Sequence, residues 1–172
     1  NLDVLLDTDG IPLGQIGSLV TTPSSSSHRL LLRLVMDEPN NITYLTNNYS
    51  VERIKEDIDQ KYPDMDMPNI ANIRGKSAEE LIATIEDLDL EKHTSILMDS
   101  NETIDEINTS EILNELDELS RENNIVVFFH YIEQTTNNEF PFELADIIYQ
   151  SGFVFSMMKN RVEKSIRQQY AI

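Results

Sequence analysis

Residues 21–28 read TTPSSSSH, after a short β-prone run and before a leucine-rich stretch. A turn between a strand and a helix is a place where backbone N–H groups can wrap a phosphate. The full phosphate-binding loop is written GxxxxGK[ST]: glycines let successive N–H groups close in, a lysine reaches the terminal phosphate and a hydroxyl holds the metal. In the ungapped register Thr21 and Ser26 fall on the glycines, Ser27 on the lysine and His28 on the metal-binding hydroxyl. Shifting by one residue puts His28 on the lysine, so neither register supplies a primary amine. Ser24, Ser25, Ser26 and Ser27 can still bind an anion through backbone N–H groups at a helix N-terminus, or they can stand in water as the relic of such a loop. His28 and Arg29 can replace the lysine or sit at the surface without a partner. Arg29 has the better case, because a guanidinium grips phosphate at two points.

Upstream, the chain carries Leu2, Leu5, Leu6, Gly10, Ile11, Pro12 and Gly14 in the order of the pattern LxxLLxGGIPxG. With these residues it resembles the RecA/RadA-like ATPases and, within them, the KaiC-like branch. Residues 42–52 (ITYLTNNYSVE) are similar to the second strand of that family and the turn after it. Active relatives bear there a glutamate pair that activates the attacking water; Asn48 and Tyr49 stand in its place, which implies loss of the general base. Residues 95–100 (SILMDS) resemble the Walker B strand, whose carboxylate is Asp99. That carboxylate would hold magnesium in a working relative, or serve a structural role, capping nearby backbone or accepting from Ser27 or Thr21. Residues 125–130 (IVVFFH) resemble a strand ending in a polar sensor residue, here His130, and residues 145–149 (ADIIY) resemble a later strand. The resemblance runs nearly end to end. It implies a three-layer RecA-like P-loop NTPase fold over residues 1–172, with a mostly parallel central sheet and helices on both faces.

The elements that must position these residues alternate along the chain. Residues 16–22, 42–46, 94–98 and 125–129 have the composition of strands, the last being a continuous apolar run of the kind parallel sheets bury on both sides. Between them, residues 29–36, 51–58, 77–88 and 110–121 carry helical spacing, with Val51, Ile54 and Ile58 on one face and Ile112, Leu113, Leu116 and Leu119 on another. Ser77 and Glu80 form the N-cap pair that opens the third of these helices. Residues 62–68 hold two prolines and form a connection. Such alternation implies βαβ crossovers and a mostly parallel sheet covered on both faces. Residues 145–149 and 153–158 are expected strands. In residues 162–172, Val162, Ile166 and Tyr170 repeat at helical spacing, whereas the resemblance favours a strand; a strand closing the sheet is expected.

Composition bounds the function. The chain has 172 residues, 40% hydrophobic, enough for one domain with a sizeable core. Cysteine is absent, which excludes disulfides, zinc-thiolate sites and thiol catalysis. No apolar run approaches the roughly 20 residues of a membrane span, and the first ten residues lack the pattern of a signal peptide. A cytoplasmic protein is expected. The start inside a family pattern, without a methionine, suggests that residues precede Asn1. The formal charge of −18 repels a phosphate backbone, so direct nucleic-acid binding is not expected. The acids spread over helix faces as a solvated coat, a pattern shared by salt-adapted and merely acidic cytosolic proteins.

His28, His93 and His130 lack metal-ligand spacing, and no Ser/His/Asp set or nucleophile elbow is apparent. His130, at the carboxyl end of its strand, lies where open α/β sheets bind ligands, though a hydrogen-bonded turn residue is the plainer reading. Phe128, Phe129 and Tyr131 read as core, whereas Phe140 and Phe142 fall in a loop that could anchor a protein partner. The joint loss of glycines, lysine, metal-binding hydroxyl and glutamate pair implies a pseudo-ATPase without catalytic residues, metal, cofactor or ATP–Mg binding. It would act as a regulatory or assembly protein, as a monomer or dimer, on a partner such as an active RecA/KaiC-like paralogue. Two alternatives stand beside it: a non-hydrolysing nucleotide or anion binder, and a recombination mediator of the RadA-paralogue kind.

Overall fold

The computed structural model describes residues 13–21, 27–37, 39–88, 95–99, 110–132, 151–159 and 168–169. In chain order the described elements are β1 (Gln15–Thr21), α1 (Ser27–Asp37), β2 (Ile42–Thr46), α2 (Val51–Lys61), β3 (Asn69–Asn72), α3 (Ala78–Glu86), β4 (Ser95–Asp99), α4 (Ser110–Asn123), β5 (Val126–Ile132), β6 (Phe153–Lys159) and β7 (Gln168–Gln169). They build one sheet in the order β3-β2-β4-β5-β1-β6-β7. All pairings are parallel except that of β7, which runs antiparallel to β6.

Alternate strand residues divide between two cores, as the period of two requires. On one face Leu19, Tyr44, Leu97 and Phe128 meet Leu31, Leu32, Val35 and Met36 of α1 and Ile54 and Ile58 of α2. On the other, Ile16, Leu45, Ile96, Met98, Val127 and Phe129 meet Leu81, Ile82 and Ile85 of α3 and Leu113 and Leu116 of α4. This is the expected three-layer α/β architecture. Each fully buried aliphatic side chain contributes ~1.5–3 kcal/mol, so the apolar stripes of four helices and the runs of the central strands fix the layers. Among the described residues no helix is long and apolar enough to cross a membrane.

Local chemistry sets the boundaries. Ser50 caps α2 by accepting from the Arg53 N–H, and Lys61 in its last turn complements the helix dipole. Ser77 and Glu80 form the anticipated reciprocal capping box on α3. The helix α4 stops at Asn124, whose φ of 53° is left-handed, a conformation Asn tolerates. The Ile125 N–H then reaches back to the Ser120 carbonyl at 3.0 Å before β5 begins. Gly14, at φ 73°, turns the chain into β1 and donates its N–H to the Ile125 carbonyl at 2.8 Å.

One feature differs from the sequence expectation. Residues 69–72 (NIAN) form β3, an edge strand that composition alone does not announce, because it is short and half asparagine. It forms because β2 offers a free edge, with Thr43 opposite Asn69 and Thr46 opposite Asn72. In the tail, β6 matches the expected strand at 153–158, and within 162–172 the described residues Gln168–Gln169 form β7, antiparallel to β6, as expected of a strand closing the sheet. The expected strand at 145–149 and the loop bearing Phe140 and Phe142 lie outside the described residues. Phe128 and Phe129 are core, as expected, and Tyr131 packs against it.

Candidate functional site at the carboxyl edge of the sheet

Strands β2, β4, β5 and β1 are adjacent in the sheet, and each sends a polar side chain towards α1 and α2 near its carboxyl end. Asp99 is the last residue of β4 and lies opposite Thr46 of β2 and His130 of β5. Its Oδ1 accepts from His130 Nδ1 at 2.9 Å and from Asn48 Nδ2 at 2.5 Å. Its Oδ2 accepts from the Tyr44 hydroxyl at 3.2 Å. On the far side of the imidazole, His130 Nε2 lies 2.9 Å from Thr21 Oγ1. The result is a continuous side-chain chain from Asn48 and Tyr44 on the β2 side, through Asp99 and His130, to Thr21 at the end of β1. Asp99 and His130 are each 1% exposed and Thr21 is 0%, so water does not satisfy these groups and they satisfy one another.

A carboxylate only accepts, so His130 Nδ1 carries a proton; in the neutral ring Nε2 then accepts from the Thr21 hydroxyl. Thr21, His130 and Asp99 thus stand in the order of nucleophile, base and orienting carboxylate, a set that spacing did not reveal. Thr21 is fully buried, so its hydroxyl is not open to solvent, and its one side-chain partner among the described residues is His130. Tyr44 is held protonated: burial, then the neighbouring Asp99 carboxylate, push its hydroxyl well above the usual tyrosine range. It is therefore a fixed donor to Asp99.

The turn after β2 completes the site. The Thr46 hydroxyl accepts from the N–H groups of Asn48 and Tyr49, at 3.2 and 3.4 Å, and the Asn47 N–H donates to the Asp99 carbonyl at 3.1 Å. Asn48 is thereby aimed at Asp99. Tyr49 turns instead towards α1 and α2, its ring 4.4 Å from that of His28 and 5.5 Å from the Arg53 guanidinium. Its hydroxyl is raised above the usual value, first by burial and then by Asp99. His28 Nε2 lies 3.1 Å from Asp57 Oδ2 of α2, and that hydrogen bond, with help from Lys61 and Arg53, holds the Asp57 carboxyl below its usual range.

Several sequence expectations can now be placed. The donors to Asp99 are Tyr44, Asn48 and His130; Thr21 reaches it only through His130. His130 is a buried strand residue bonded on both nitrogens rather than a turn residue. His28 is not a lone surface group, because Asp57 and Tyr49 engage it, while its Nδ1 is buried with no hydrogen-bond partner among the described residues. Arg29 is exposed on α1. Ser24, Ser25 and Ser26 lie outside the described residues, as does the Ser27 side chain. Tyr44 and Asp57 were not singled out from the sequence. A tyrosine hydroxyl two and four residues before Thr46 and Asn48, on one strand face, was the available signal for Tyr44; nothing local marked Asp57.

The mostly parallel sheet with helices on both faces fits a RecA-like α/β fold. The crystal structure of the RadB recombinase is similar to it, with a TM-score of 0.63 at 16% identity, covering 93% of this chain and 81% of that one. No curated protein matches the chain in sequence. The chain belongs to the family of unknown function DUF7125, whose family model matches residues 1–172.

Proposed function

We propose that this chain is a RecA-like domain that does not hydrolyse nucleotide and acts through protein contacts, as a regulatory or assembly partner of an active RecA- or KaiC-like paralogue. The observation that carries this reading is the engagement of Asp99 by hydrogen bonds from its own chain. Three donors of the chain itself, Tyr44, Asn48 and His130, occupy both carboxylate oxygens. A magnesium ion there would compete with these donors inside a buried cluster, and phosphoryl transfer depends on such a metal with a cationic clamp. Residues 21–28 contain no lysine or arginine, and Asn48 and Tyr49 are not bases. Calorimetry with ATP and magnesium, followed by a phosphate-release assay, tests the proposal. The expected result is no micromolar binding dependent on magnesium and no turnover. Turnover that is lost in Asp99→Ala would sink it.

A second reading rests on the likeness in fold to a protein named as a recombinase: a mediator of recombination. The charge of −18 opposes direct contact with DNA. A gel shift negative at both low and high salt would leave this reading only a protein-borne route.

A further inference from the structure

We infer that the groove between the first turns of α1 and the carboxyl end of α2 binds a small phosphorylated anion, gripped by Arg29 and Lys61. The groove is lined by Arg29, Leu32, Lys61 and Tyr62, is open on one side and offers about 260 Å³. That volume suits a phosphate with a small appendage and is below the ~300–1,000 Å³ of sites for larger ligands. Arg29 forms no ion pair with a described residue, although the chain holds 31 acids and 13 bases. Its neighbour Arg33, by contrast, lies 3.6 Å from Asp37, one turn along α1. The first turn of α1 contains no acidic residue, and Lys61 offsets the negative end of the α2 dipole that borders the groove.

The walls are fixed. Leu32 is buried in the core, and Tyr62 caps α2 through its N–H to the Ile58 carbonyl at 2.7 Å. Lys61 sits 3.7 Å from Asp57, which leaves its flexible ammonium able to turn to an incoming anion, because Asp57 keeps His28 as a partner. A guanidinium and an ammonium over an apolar floor form a two-point phosphate grip, the floor lowering the local screening. This site differs from the Asp99 cluster and needs no metal, so it stands or falls apart from the function proposed above.

Amide chemical shifts of the full chain, titrated at constant ionic strength without magnesium, test the inference. Inorganic phosphate and ribose 5-phosphate are the two probes, with chloride as the control. The expected result is saturable shifts at Arg29, Lys61 and Tyr62, abolished or weakened at least about tenfold in Arg29→Ala and reduced in Lys61→Ala, with Arg33→Ala unchanged. Tighter binding of the sugar phosphate identifies an organic phosphate as the ligand, and equal binding identifies phosphate itself. No saturable shifts, or equal weakening by Arg33→Ala, overturns the site. Binding of ATP with magnesium that depends on Asp99 would contradict only the earlier proposal.

Discussion

At the scale of single residues, the Asp99 cluster makes the sharpest predictions. Tyr44→Phe removes one donor to a buried carboxylate and keeps the ring, so it should lower the unfolding free energy by ~1.5–3 kcal/mol, read from urea denaturation. It should also change the alkaline limb. The raised hydroxyl of Tyr44 contributes stability that is complete below the ordinary tyrosine value of 10.0 and is lost as pH rises towards the folded value. The variant should lose part of that slope above pH 10, with Tyr49 supplying the remainder. His130→Ala removes one donor from Asp99 and the partner of Thr21 and opens a buried cavity, and should cost more, ~3–5 kcal/mol. At the other end of the pH scale, the Asp57 carboxyl is held low by His28, so its contribution is present above the usual value of 3.8 and fades as pH falls through the folded value. In Asp57→Asn the stability deficit seen at neutral pH should close on acidification; a deficit that persists in acid would show that packing, not charge, was lost.

Among the elements, caps and edges explain why the chain folds where it does. The Ser77 capping box satisfies N–H groups that α3 cannot pair internally, so Ser77→Ala should lower stability by ~1 kcal/mol without changing the fold. Urea midpoints with an unchanged slope would report this; a changed slope would mean that α3 had frayed more widely. The helices and central strands were legible in the sequence because their apolar residues repeat at the period of the structure they form. The spacing of Ile112, Leu113, Leu116 and Leu119 is an α-helix wherever it is placed. The strand β3 was not legible, since asparagine-rich residues 69–72 owe their conformation to the open edge of β2 rather than to any preference of their own.

For the whole molecule, charge is the leading variable. An excess of acids, 31 against 13 bases, makes the folded state repel itself. Raising salt from 0.1 to 1 M shortens the screening length from ~10 to ~3 Å, and the melting temperature should rise by a few degrees, about 2–4 °C for each kcal/mol of repulsion removed. Scanning calorimetry across that range would show it, and a flat profile would mean that the acids are spaced too widely to matter. The proposed loss of nucleotide also bears on assembly. Light scattering should report a monomer or dimer, and a nucleotide-dependent hexamer would count against the proposed function.

The sequence by itself determined the layered α/β class, the positions of its main helices and central strands, and the absence of lysine and arginine from residues 21–28. These follow from local periodicity and from residue chemistry that no fold can add. Only the tertiary structure decided what became of the polar residues. Thr21, Tyr44, Asn48, Asp99 and His130 are scattered over more than a hundred positions, and parallel pairing of β2, β4, β5 and β1 sets them side by side on one face. Once brought together out of water, they had to satisfy one another, and that need, invisible along the chain, is what closed Asp99 in hydrogen bonds.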